Sequence, residues 1–257
     1  MKEPIQIIQF VKQTTYNLVR DLLGDQNEIK RFVYTAVYKQ YHCFSSIEEL
    51  FLKLSSNPNH EFSIGILLRS MLMDCIQIQH LRFLQLQGTP DTQQQTNEEV
   101  RKGAYKFIVD GTRYIMNDIE DNPNIERSDK GIAYRSISAT FPGVFVFNGD
   151  LLPSVEPGFR FTLADLHRNS QHTQLLSLKH VYELYQFYSK YDHLSHWTSV
   201  FNSDSPVEHK KKQMESAFAM IAINLRDLLV VGTSSEIITE LMVKYEKKVS
   251  EFLKEMV

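Results

Sequence analysis

Apolar residues recur at three- and four-residue intervals through most of this chain, a period that fits helices and not half-buried strands, whose side chains alternate. Ile5, Ile8, Val11, Leu18, Val19 and Leu22, with Thr15 in register, stripe one face of residues 3–23, and Gly24 suits the stop. Ile29, Phe32, Val33, Ala36, Val37 and Tyr41 continue the pattern toward Phe44. Ser45-Ser46-Ile47-Glu48 then reads as a capping box, which predicts a break at Ser45 and a short new helix to about Leu54. After Asn57-Pro58-Asn59, a long central helix is expected from His60 to Gln87, ended by Gly88-Thr89-Pro90-Asp91. The stretch from Pro90 to Thr96, with three consecutive glutamines, reads as an exposed connection, and Asn97 as the cap of a helix to about Glu120.

Between 121 and 161 the helical period lapses, so this segment is expected to be mostly irregular. Within it, Phe141-Pro-Gly-Val-Phe-Val-Phe-Asn-Gly-Asp150 reads as a turn, a short extended run and another turn, compatible with a small hairpin. An insertion of this length is as readily a lid or contact surface as packing. Thr162-Leu-Ala-Asp165 predicts a short helix through His167, and a long helix follows over 171–201. Pro206 opens another to about Val231, with Gly232 as its stop, and Ser234 or Ser235 caps a last helix to about Met256. The expectation is an all-α bundle of seven to nine helices in one domain over 1–257. Its core helices would lie over about 3–120 and 162–256, around the insertion at 121–161.

Charge and cysteine usage narrow the function. With 28 basic and 31 acidic residues the formal charge is −3, so no overall positive field advertises a nucleic-acid backbone, although a local patch stays open. Cys43 and Cys75 both sit in apolar helical patterns, which fits reduced thiols and a cytoplasmic setting. The N-terminal residues lack the apolar core and cleavage site of a signal peptide, so no export is expected. Arg69, and Arg226 with Asp227, interrupt the most apolar windows, so no membrane span is expected either. Gly-rich phosphate loops, Gly-x-Ser-x-Gly elbows and Cys-x-x-Cys pairs are absent, and no cofactor is expected.

One polar helix face carries the chemical interest. Tyr185, Ser189 and His193 climb the 171–201 helix in steps of about 40°, with Tyr182 and His196 in the same arc. Such a face must meet complementary groups or line a wet cleft, because burying a hydroxyl without a partner costs about 1–3 kcal/mol. The 60–87 helix offers partners: Arg69, Gln77 and His80 share one face, while Asp74 lies about 140° from Arg69 and is suited to pairing with another helix.

Arg69-x4-Asp74, followed by Tyr185-x3-Ser189-x3-His193-x-Ser195, resembles a group of bacterial all-helical domains of unknown function. Their pattern is an Arg-x4-acid helix and a Tyr…Ser-x3-His-x-Ser helix. Asp74 stands where that pattern more often has glutamate, which shortens the reach of the carboxylate. The group is in turn reminiscent of HEPN-like bundles, some of which cleave RNA with an Arg-x4–6-His motif. The resemblance implies Arg69, Asp74, Tyr185, Ser189 and His193 as candidate catalytic residues and a defence- or stress-related RNA-processing role. Arg168-Asn-Ser-Gln-His172 falls one residue short of that ribonuclease motif.

The competing expectation is a non-enzymatic interaction module. In it the same side chains form a hydrogen-bonded seam that sets helix register, and a protein partner or second copy docks on the insertion or the C-terminal helix. Ile237, Leu241, Tyr245, Val249 and Leu253 stripe that helix, suited to the bundle or a dimer. His193 and His196 have the i, i+3 spacing that lets two imidazoles face one ion, but no Glu-x-x-His accompanies them and no metal is assigned. Trp197 reads as a packing anchor, and Lys210-Lys211-Lys212, flanked by Glu208 and Glu215, as a solvated face.

Overall fold

The computed structural model describes residues 3–22, 28–89, 91–139, 143–147, 151–155, 176–192, 206–232 and 239–255. These form eight helices: α1 Pro4–Asp21, α2 Glu28–Leu52, α3 His60–Gln87, α4 Gln93–Asp121, α5 Arg127–Ala139, α6 Leu176–Asp192, α7 Val207–Gly232 and α8 Thr239–Lys254. A two-residue antiparallel ladder, β1 Phe145–Val146 with β2 Ser154–Val155, accompanies them. The fold is an all-α multi-helix bundle. It divides into two compact units: Met1–Leu86 with Leu163–Val257, and Gln87–Thr162. The second unit thus begins well before residue 121 and contains α4.

In the first unit, α1 starts on Pro4 at its first position, with the Glu3 amide donating to Gln6 Oε1 at 3.0 Å. It runs antiparallel to α2, whose Glu48 carboxylate accepts from Lys12 and, at 3.0 Å, from Gln9. Buried positions on α3, among them Ile64, Leu68, Met71, Leu72, Ile76, Ile78 and Leu81, spread over more than half its circumference, as a central helix requires. Helix α7 is also deeply buried, and its Phe218 ring packs against Phe44 at 6.2 Å and edge-on to Phe51 at 5.8 Å. Gly232 ends α7 where a Cβ would stand 3.1 Å from a Val33 methyl, so this close approach to α2 favours glycine. Tyr245 of α8 donates to Asp21 at 2.6 Å, and Phe252 stacks on Phe10 at 3.7 Å.

Three expectations need correction. Helix α2 does not break at Ser45; that hydroxyl donates back to the Tyr41 carbonyl at 2.8 Å, and Glu48 is taken up by α1. A serine can satisfy itself inside a helix in this way as well as cap one. Helix α4 starts at Gln93, not Asn97: Thr92 Oγ1 accepts from the Thr89 amide at 2.9 Å, and the three glutamines form an exposed first turn. Third, helix does not lapse throughout the 121–161 insertion, since α5 fills 13 of its described residues. The buried face of α5 consists of Gly131, Tyr134 and Ser138, too small and polar to register as an apolar stripe. The hairpin expected beyond it is present. Gly24, 162–167, the ends of the 171–201 helix and Ser234–Ser235 lie outside the described residues.

The second unit packs Met116, Tyr134, Val144 and Phe145 together with Ile119 and Ile137. Tyr134 donates to Glu120 at 2.6 Å, joining α5 to the end of α4. No helix among the described residues is long and apolar enough to cross a membrane.

Candidate functional site

Polar chemistry in the first unit gathers along α3. Asp74 is 3% exposed because its position faces α2. Its Oδ1 accepts from Lys39 Nζ at 2.8 Å, and the same ammonium stands 2.7 Å from Oδ2, out of hydrogen-bonding alignment. Burial pushes the Asp74 carboxyl up from 3.8 to about 6, with the Lys39 charge and hydrogen bond opposing that rise. Lys39 also reaches the Ser70 carbonyl at 3.4 Å, so it ties α2 to a full turn of α3.

Arg69 and Tyr185 come together. The guanidinium lies over the Tyr185 ring, 5.7 Å from its centroid, linking α3 to α6 by a cation–π contact. Both residues are half-buried. The side chains that anchor α6 in the interior are Val181 and Tyr188, 0% and 1% exposed, so the Tyr182–Tyr185–Ser189 face lies at the margin of the buried surface. Ser189 spends its hydroxyl locally, donating to the Gln186 carbonyl at 2.7 Å. His193, His196, Trp197, Arg168 and His172 lie outside the described residues.

The structure therefore divides the candidates. Arg69 meets Tyr185, Asp74 points to Lys39 on another helix, and Ser189 is committed to its own turn. The helical phase that put Asp74 about 140° from Arg69 is what sends these two side chains to different neighbours.

Sequence reasoning missed most of the groups that α3 binds. Gln79, 1% exposed, donates to Asn224 Oδ1 at 3.2 Å and to Asp227 Oδ2, both on α7. Glu61 meets Lys210 at 2.6 Å with each side chain only 5% exposed. The solvated reading of the 210–212 cluster is thus corrected for Lys210. It lies one turn before Met214 and two before Phe218, on the buried face of α7, whereas Lys211 pairs with Glu208 at 2.9 Å and Lys212 is exposed. The available signal was that phase: Lys210, Met214, Ala217, Phe218 and Ile221 share a face, with Asn224, Arg226 and Asp227 the polar residues inside an otherwise apolar run.

Both thiols have the wrong electrostatics for a nucleophile. Burial pushes Cys43 up and Cys75 well up, which disfavours the thiolate. Among the described residues no group of three or more His, Cys, Asp or Glu gathers to hold a metal. An open groove of about 510 Å³ lies where α1 starts, α2 ends and α7 starts, lined by Pro4, Ile5, Phe51, Leu52, Lys211 and Lys212 among others. Arg69, Asp74, Tyr185 and Ser189 do not line it. Compared with family models, curated proteins and solved structures, the chain matches none.

Proposed function

We propose that this chain is a non-enzymatic helical interaction module, in which the polar side chains of α3 hold the bundle in register and the contact surface lies on the 87–162 unit. The observation that carries this reading is the engagement of Asp74: the one carboxylate among the candidate residues is closed from solvent and held by Lys39. General acid–base work requires a group within reach of substrate, which a side chain committed to a helix joint does not supply. Glu61–Lys210 and Gln79–Asn224–Asp227 repeat the pattern between α3 and α7. Buried polar pairs of this kind serve specificity of packing better than net stability.

The contact surface is placed on the hairpin because Val146, Phe147, Leu151 and Leu152 are 37–46% exposed within seven positions. A cluster of large apolar side chains at one hairpin end suits a protein partner. The two free thiols, Cys75 buried and Cys43 partly so, suit a cytoplasmic setting.

A HEPN-like RNA-processing role is the second reading, favoured by the Arg69–Tyr185 contact, which leaves a guanidinium at the margin of the α3–α6 joint. One experiment separates the two. Labelled single-stranded RNA is incubated with the full chain and with Arg69→Ala, and thermal melting is followed in parallel. The interaction module shows no cleavage above buffer and a lower Tm in the variant. Cleavage that disappears in Arg69→Ala at unchanged Tm overturns it.

A further inference from the structure

Gln40 carries hydrogen-bonding groups into the interior from α2. It is 0% exposed, and neither its amide nitrogen nor its amide oxygen has a partner in the protein. Helical phase sets its direction. Gln40 lies seven residues after Val33 and four before Phe44, within about 40° of both around the helix. Val33 lies against Gly232 at the end of α7, and Phe44 packs on Phe218 of the same helix. Gln40 therefore faces α7 between those two contacts, at the level of Asn224. Asn224 is likewise 0% exposed; its Oδ1 accepts from Gln79, and its Nδ2 has no partner in the protein.

Helix α3 closes the third side of this level. Lys39, the neighbour of Gln40 in sequence, binds Asp74, and Gln79 binds Asn224, so α3 is tied here to both α2 and α7. Cys75, beside Asp74, is fully buried, and the charges of Lys39, Asp74 and Asp227 all act on its thiol. One charged group from each of the three helices thus surrounds a common interior region. Asp74 Oδ2, next to Lys39 but out of line with it, adds an acceptor at the same level. Apolar side chains close the level at both ends, Val33 on one side and Phe44 with Phe218 on the other, each 0% exposed.

We infer that this level is a binding site for ordered water, held by the Gln40 amide and Asn224 Nδ2 where α2, α3 and α7 meet. Buried amides are rarely left unpaired in native interiors, and internal water is their usual partner when no protein group reaches them. The set of groups selects water over an ion. Gln40 Oε1 and Asp74 Oδ2 accept, while Gln40 Nε2 and Asn224 Nδ2 donate, and water answers both kinds. A cation would face the amide hydrogens, and an anion the Asp74 and Asp227 carboxylates. Water held here extends the Gln79–Asn224–Asp227 network to α2. It also makes the register of α2 on α7 specific, since a slip of one turn carries Gln40 into an apolar layer. The inference rests on the register role given above to buried polar groups, and not on the hairpin contact surface.

The test compares the full native chain with Gln40→Met, which keeps the side-chain volume and removes the amide. Oxygen-17 magnetic relaxation dispersion reads waters held inside a protein for longer than it takes to tumble, and its amplitude should fall in the variant. Tm should fall as well, by about 2–4 °C, because Asn224 Nδ2 loses the water that answers it. An equal amplitude in the two proteins overturns the site, since no held water then depends on the amide. A raised Tm overturns it too, since it would show that the amide was buried dry. In crystals of the native chain, a water is expected within hydrogen-bonding reach of the Gln40 amide and of a second protein atom. A well-ordered Gln40 with no such water overturns the site even if Gln40→Met fails to fold. These readouts are internal to α2, α3 and α7, so failure here leaves the cleavage test at Arg69 unaffected.

Discussion

The two compact units differ in how far they close their polar and apolar side chains away from solvent. In residues 1–86 with 163–257, charged and amide groups are drawn inside and matched: Asp74 with Lys39, Glu61 with Lys210, Gln79 with Asn224 and Asp227. Among the described residues of 87–162 the buried cluster is small, and Ile115, Ile132, Val146, Phe147, Leu151 and Leu152 remain exposed, as many as the longer first unit leaves outside with Tyr16, Tyr38, Leu52, Ile66, Leu86 and Val243. A region that closes its own polar groups has little left to offer a ligand through them. A region that leaves large apolar groups outside exposes surface whose burial by a partner is worth about 25 cal/mol per Å² before binding costs.

The contrast can be broken from either side. Lys210→Met removes the ammonium and leaves the Glu61 carboxylate in a site 5% exposed. The expected loss is about 3–5 kcal/mol of unfolding free energy by urea titration. Adding Glu61→Leu to that variant should restore most of it, since a buried pair replaced by apolar side chains is often neutral. A loss below about 1 kcal/mol in the single variant would mean that the pair is solvated and the joint open.

The opposite substitution in the second unit should do almost nothing. Phe147 is 44% exposed, so Phe147→Ser is expected to change unfolding free energy by less than about 0.5 kcal/mol. A loss of several kcal/mol would show that the ring belongs to the packing of the unit and would remove it from the proposed contact surface.

How far the sequence could be read follows the same division. Helix α3 runs from His60 to Gln87 as Asn57-Pro58-Asn59 and Gly88-Thr89-Pro90 demand, because backbone restrictions at proline and glycine act whatever the tertiary setting. Gly232 likewise ends α7, and the Phe145–Val146 strand follows the turn at Gly143, whose φ of 75° favours glycine. Ser45 and the α5 segment were misread for a shared reason. A serine's choice between capping and back-bonding, and the burial of Gly131 and Ser138, are decided by neighbours distant in the chain. For the site, helical phase foretold that Asp74 would serve a different helix from Arg69, and the Arg69–Tyr185 contact joins two predicted residues. The identity of Lys39 as the partner of Asp74 could not be read, since 35 residues and a helix reversal separate them.

The central claim, that Asp74 is a buried joint and not an accessible acid, is tested most directly by urea unfolding of the native chain and of Asp74→Asn from pH 4 to pH 8. The carboxyl is raised from 3.8 to about 6 by burial, so the folded state holds its proton more tightly than the unfolded chain. The contribution of Asp74 to stability is therefore full below about 3.8 and is lost as pH rises through about 6. Asparagine does not titrate, so Asp74→Asn should gain on the native chain across this window, by an amount approaching about 3 kcal/mol at neutral pH. A difference that stays flat with pH, or that moves in favour of the native chain as pH rises, would show a carboxylate that burial does not penalise and contradict the account.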